Sequence, residues 1–181
     1  MKQNDLSLNN KKIITLIGMM GTGKSKFGRL VAEKLNYEFY DTDTLIENSQ
    51  KNTIRTIFNE NGEDYFRKIE KNTIKKLIIN TIKHEEKAVL SLGGGAFDNE
   101  DTRGILLSCT HVIWLNTSID TLIKRVGDGS KRPMIKGDIK TSINNLLSKR
   151  IKFYSLCHNQ IDTDGLNQNQ ILDKIIMTIS C

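Results

Sequence analysis

The sequence predicts an α/β fold, a mostly parallel β-sheet covered by helices. Three observations lead there. Short β-branched apolar runs alternate along the 181 residues with longer amphipathic stretches, the pattern of βαβ units. The first run leads through a glycine-rich turn straight into a helical pattern, the layout of a phosphate-binding strand, loop and helix. No internal repeat, low-complexity tract or linker interrupts the chain, whose length suits one domain with a sizeable core.

In order, residues 12–18 (KIITLIG) form the first strand and 24–36 the first helix. Residues 37–41 (YEFYD) form a second strand, followed by polar helical stretches at 44–60 and 63–84 that break at Asn61-Gly62. Residues 87–92 (KAVLSL) are the third strand and run into Gly93, Gly94 and Gly95. A short helix at 99–108 precedes the fourth strand, 110–115 (THVIWL), after which Thr117 or Ser118 caps a helix to Val126. Residues 127–137 (GDGSKRPMIKG) hold the only proline among several glycines and charges, and predict a mobile surface loop. A helix at 139–156, a weak strand at 159–162 and a helix at 168–179 complete the pattern.

Composition excludes several classes of function. No apolar run approaches the roughly 20 residues that span a bilayer, and the first ten residues lack the apolar region of a secretory signal. A cytoplasmic protein without a membrane partner is expected. Cys109, Cys157 and Cys181 are dispersed and odd in number, which argues against both a disulfide framework and a zinc site. His84, His111 and His158 are isolated, and structural or surface roles are expected for them. The net charge of +6 is spread along the chain among 21 acidic residues, with no aromatic-rich basic stripe, so no nucleic-acid partner is expected.

Gly18 to Ser25 (GMMGTGKS) satisfies GxxxxGK[ST] after a strand and before a helix. Glycine lets the backbone curl so that its N–H groups face phosphate oxygens, and the helix N-terminus behind them adds positive potential. Lys24 can bridge the β- and γ-phosphates, and Ser25 can offer its hydroxyl to Mg²⁺. The expected nucleotide contacts are Gly21, Thr22, Gly23, Lys24, Ser25 and Lys26. ATP or GTP would both fit the cradle, but the base-reading NKxD motif of GTPases is absent.

The second strand ends in Asp41-Thr42-Asp43, at the end of a parallel sheet where ligands bind. If extended, the two aspartates point to one side. Asp41 could then hold Mg²⁺ or its water, and Asp43 could accept a hydrogen bond from an acceptor hydroxyl. The alternative is two turn-forming carboxylates before a helix capped by Thr42 or Asp43.

These two motifs and four further segments resemble the shikimate kinase family. Residues 58–67 (FNENGEDYFR) are similar to its FxxxGExxFR segment, and Gly93-Gly94-Gly95 to its triple glycine. Arg132-Pro133 resembles its lid motif and residues 150–154 (RIKFY) its RxxxY helix. The similarity runs in order over residues 13–164. It implies a three-layer P-loop kinase of the nucleoside-monophosphate-kinase type, with a five-stranded parallel sheet flanked by helices. Within a single domain of residues 11–181 it implies a substrate-binding helical segment at about 42–70 and a mobile lid at about 126–140. Residues 1–10 match nothing and are expected to be a disordered extension.

The implied reaction is ATP + shikimate → ADP + 3-phosphoshikimate with Mg²⁺, in a monomer. Lys24, Asp43 and Arg132 are the expected catalytic residues, and Ser25 and Asp41 the metal-side ones. Arg67 and Arg150 supply planar forks for the shikimate carboxylate. Gly93, Gly94 and Gly95 let backbone N–H groups approach the ring. Glu70 lies three residues after Arg67 on one helix face and can hold its guanidinium. The resemblance puts Arg125 against adenine and brings Arg132 from the lid to the phosphates of ATP. Phe58, Phe66 and Tyr154 are expected to be core packing.

Two positions depart from the family pattern. Lys26 replaces a small hydroxyl residue, with little effect expected, and residues 161–164 (IDTD) carry acid where several relatives have arginine beside adenine. Two rivals remain. A gluconate- or nucleotide-kinase type would keep the P-loop with less need for Arg67, Arg150 and the triple glycine together. A non-catalytic nucleotide-binding regulator would be expected to have lost Asp43, Arg67 or Arg132.

Overall fold

The central strands are mostly apolar runs without polar alternation, and this decides the architecture. In the computed structural model, which describes residues 12–127, 134–135 and 137–180, β1 (Ile13–Ile17) and β3 (Ala88–Ser91) are buried at every position. Strands covered on both faces have that character. The sheet is five-stranded and parallel throughout, in the order β2-β3-β1-β4-β5, where β2 is Glu38–Asp41, β4 is His111–Asn116 and β5 is Asn159–Asp162. The exposed polar residues of β2 and β5 fall on the two edges.

Successive side chains of β1 alternate between the two faces. Ile13 and Ile17 join a core with Ile74, Ile78, Leu106, Leu122, Ile143 and Tyr154. These come from α3 (Ile54–Lys83), α4 (Glu100–Cys109), α5 (Ile119–Val126) and α6 (Ile139–Tyr154). Ile14 and Leu16 pack on the other face against Phe27, Val31, Ile171 and Ile175. Those belong to α1 (Lys24–Leu35) and α7 (Gln168–Ser180). The result is the helix-covered parallel sheet the sequence pattern predicts, in the three layers the family resemblance implies.

A small satellite core of Ile46, Ile57 and Phe66 lies between α2 (Thr42–Gln50) and α3. Here the expected helix boundaries need correction. The stretch expected as one helix at 44–60 is two: α2 stops at Lys51, which takes a left-handed φ of 51°, and α3 starts after Thr53. Thr53 caps α3 by accepting from the Thr56 N–H at 3.1 Å. The expected break at Asn61-Gly62 is present: Gly62 leaves helical geometry at φ 83° and ψ 173°, so α3 is two helical stretches that meet at a kink. α2 is capped by Asp41, and not by Thr42 or Asp43.

Residues 1–10 and Arg132-Pro133 lie outside the described residues, so the N-terminal extension and the centre of the expected lid do too. Among the described residues no helix is long and apolar enough to cross a membrane.

Candidate active site

Because every strand is parallel, the loops after β1, β2 and β3 open at one edge of the sheet, where α/β proteins bind ligands. β1 runs into the 18–25 loop, β2 ends on Asp41, and β3 runs into the triple glycine.

The first loop is a cradle. Gly21 and Gly23 have φ of 83° and 92°, which only glycine adopts without strain. Thr22 is buried and its hydroxyl donates to the Met19 carbonyl at 2.9 Å, so its side chain closes the loop from inside. The Lys24 ammonium lies along the loop and donates to the carbonyls of Gly18 and Met19, both at 2.9 Å. Ser25 Oγ donates to Asp41 Oδ2 at 2.6 Å and stands 3.3 Å from Ser91 Oγ. Lys24, Ser25, Asp41 and Ser91 line a cavity of about 310 Å³ together with Gly21, Gly23, Lys26, Asp43, Gly94 and Arg125. The side chain of Thr22, also expected to meet the nucleotide, is instead buried behind the loop. Arg125 is exposed at its rim and donates to the Gly21 carbonyl at 3.2 Å.

Asp41 serves two ends of this structure. One oxygen receives Ser25, and the other accepts the N–H groups of Asp43 and Thr44 at the start of α2. The two aspartates are therefore not an extended pair: Asp41 ends the strand and Asp43 occupies the first turn of the helix. Both still line the smaller cavity. Hard oxygen donors clustered beside a phosphate cradle suit Mg²⁺, which takes one or two carboxylates and leaves other positions to phosphates. The residues present fit that ion.

A second cavity of about 480 Å³ opens on the other side of Asp43. All six residues expected on the acceptor side line it: Asp43, Arg67, Gly93, Gly94, Gly95 and Arg150. Arg67 on α3 is held through Nη1 by Glu70 Oε2 at 2.5 Å, and through Nε and Nη2 by Glu63 Oε1 at 3.3 Å. Burial works against its charge, and the two carboxylates outweigh it. Burial pushes Glu70 up to about 7, against the pull of Arg67, and the nearby Asp43 charge adds to the rise. Arg150 on α6 is buried, and its Nε donates to Asp98 Oδ2 at 3.0 Å.

The triple glycine makes room for these charges. A Cβ on Gly95 would stand 2.5 Å from Arg67 Nη2 and 2.8 Å from Arg150 Nη2. One on Gly93 would stand 2.7 Å from both Asp43 Oδ1 and Glu70 Oε1. Sequence reasoning expected these glycines to admit a ligand ring, but they first admit the side chains that surround it.

Five side chains have parts at the site that sequence reasoning missed. The Thr42 hydroxyl donates to the Ser91 carbonyl at 3.3 Å and accepts the Gly93 N–H at 3.2 Å, fixing the Asp41–Asp43 turn against the triple glycine. Asp98 is the partner of Arg150. Phe66 belongs to the satellite core as expected yet also walls the larger cavity, with the Phe58 ring 4.6 Å away doing the same. Tyr154 is fully buried as expected, but its hydroxyl donates to the Gly94 carbonyl at 2.5 Å and so supports the triple glycine.

The family model "Shikimate kinase" matches residues 20–180. The shikimate kinase of Zymomonas mobilis is 41% identical over 169 residues, covering 93% of both chains. That of a Sulfurihydrogenibium species is 35% identical, covering 93% of this chain and 98% of the relative. Among solved structures, shikimate kinase from Acinetobacter baumannii in complex with shikimate superposes with a TM-score of 0.86 at 30% identity, covering 93% of this chain and 92% of that one. A sugar kinase from a Janibacter species, at 12% identity and a TM-score of 0.64, shares the fold.

Proposed function

The chain belongs to the shikimate kinase family, and on that premise we propose how its two cavities divide the transfer of the ATP γ-phosphoryl group to the 3-hydroxyl of shikimate. The observation that carries the proposal is their meeting point. Asp43, Met20 and Gly94 line both cavities, with the phosphate cradle on one side and the two arginines on the other.

ATP occupies the smaller cavity. Its phosphates lie over the cradle, where Lys24 exchanges its carbonyl partners for phosphate oxygens, and its adenine lies beside Arg125. Ser25 and Asp41 would hold Mg²⁺, which when bound neutralises phosphate charge. Shikimate occupies the larger cavity with its carboxylate toward Arg67 and Arg150 and a ring hydroxyl toward Asp43. Phosphoryl transfer asks chiefly for alignment and charge neutralisation. Asp43 orients the hydroxyl for attack and is placed to take its proton. Arg132, outside the described residues, keeps its role at the phosphates on the sequence resemblance alone. We place the enzyme in the cytoplasm, which keeps thiols such as Cys109 and Cys157 reduced. We take it as a monomer, since one chain supplies every residue named for both cavities.

Arg67→Lys and Arg150→Lys test the acceptor side, because an ammonium cannot reproduce a planar fork. Each should weaken shikimate binding by about 1.5–3 kcal/mol, the scale of a charge-assisted hydrogen bond. ADP binding should hardly change. Calorimetric titration of each ligand checks this, and equal losses for both would argue against a carboxylate site. Gly95→Ala presses on both guanidinium groups at once, so shikimate binding should fall by about tenfold or more, with ADP binding kept, in the same titrations.

A further inference from the structure

Asp98 has no part in the mechanism above, yet it holds one of the two arginines of the larger cavity. We propose that Asp98 is a positioning residue for shikimate recognition: by taking Arg150 Nε it aims the two Nη groups of that arginine at the acceptor. The proposal rests on the reading of the larger cavity as the shikimate site.

The carboxylate is delivered by a rigid piece of backbone. Asp98 ends a short 3₁₀ turn, Ala96–Asp98, that follows the triple glycine directly. Its N–H donates to the Gly95 carbonyl at 3.1 Å. Its own carbonyl, like that of Phe97, accepts Arg103 Nη1 at 3.1 Å. The Arg103 guanidinium lies over the Phe153 ring at 4.6 Å, which ties the turn to α6, the helix that carries Arg150. The carboxylate is thus fixed relative to Arg150 before any ligand arrives.

The two arginines are held differently. Arg67 meets protein carboxylates through Nε, Nη1 and Nη2. Arg150 meets Asp98 through Nε, and its Nη groups lie against the triple glycine. Nη1 is 3.4 Å from where a Gly94 Cβ would stand, and Nη2 is 2.8 Å from where a Gly95 Cβ would stand. A guanidinium bonded through Nε keeps its Nη1/Nη2 edge for a second carboxylate, the bidentate geometry that a carboxylic acid ligand requires. The other Asp98 oxygen, Oδ1, is buried with no hydrogen-bond partner among the described residues, and Arg150 is the first of the positive groups that offset the burial. Burial raises the Asp98 pKa, and Arg150, Arg67 and Arg103 all oppose the rise, so the positive groups around it favour the charged form.

The test uses the full chain with Asp98→Ala and Asp98→Asn. In Asp98→Ala the shikimate KM should rise about tenfold, the order of one charge-assisted hydrogen bond, while kcat and the ATP KM stay near wild type. Asp98→Asn keeps an oxygen that accepts from Nε and should recover most of the lost affinity. An unchanged or lower shikimate KM in Asp98→Ala would overturn the proposal. So would a folded Asp98→Asn enzyme that loses as much as the alanine variant, or one in which kcat and both KM values worsen together. Turnover of shikimate by the wild type, measured alongside, tests the reading of the cavity separately.

Discussion

Lys24→Met abolishes phosphoryl transfer and leaves the fold standing. Lys24 is 8% exposed at the start of α1, and its ammonium is turned toward the cradle and bonded to the Gly18 and Met19 carbonyls. Methionine keeps most of the stem and its packing while removing the charge. A positive group aimed at transferring phosphates is worth about 10³-fold or more in kcat, so activity should fall at least that far. The melting temperature should move little, because no apolar contact of either main core depends on the ammonium. Coupled measurement of ADP release, with thermal unfolding beside it, checks both halves. Near-normal turnover would mean that the phosphate cradle is misassigned.

Asp43→Asn comes second in size. The substitution keeps the shape and one accepting oxygen at the junction of the cavities but loses the charge. An orienting or proton-accepting group contributes about 10²-fold or more, so kcat should drop by that amount with a smaller change in shikimate KM. The variant should also be visible at Glu70. The Asp43 charge is one cause of the raised Glu70 pKa, so removing it should bring that carboxylate's titration down from about 7. Carboxyl-selective NMR titration reads the shift. A raised KM with unchanged kcat would leave Asp43 as a binding group alone.

The fold was legible because its signals are local. Mostly apolar β1 and β3, a GKS turn between strand and helix, and polar caps such as Asn99 and Ser118 each announce themselves within a few residues. The acceptor side was legible for a different reason. Arg67, Glu70 and the triple glycine sit in ordered motifs, though nothing local says that Gly95 and the two guanidinium groups share one space.

What was not legible depends on contacts between distant segments. Asp98 is a lone acid beside a cap residue until the 3₁₀ turn brings it to Arg150, 52 positions away. Thr42 looks like part of an extended DTD strand end until its hydroxyl meets Ser91 and Gly93 across the sheet. The stop at Lys51 was missed because a left-handed lysine lacks the glycine that usually marks a helix end, although the Asn52-Thr53 cap signal after it was available.

Product identity tests the central claim most directly, since the proposed division of the two cavities specifies both the donor and the hydroxyl that attacks. The enzyme is incubated with ATP, Mg²⁺ and an equimolar panel of hydroxylated acids, sugars and nucleotides, and the products are read by phosphorus–proton correlation NMR. The account predicts that shikimate alone is consumed at an appreciable rate. One ADP should appear for each product molecule, and the new phosphorus should couple to the proton on carbon 3. Phosphate on another hydroxyl, faster consumption of another acceptor, or ADP formed without a phosphorylated acceptor would contradict it.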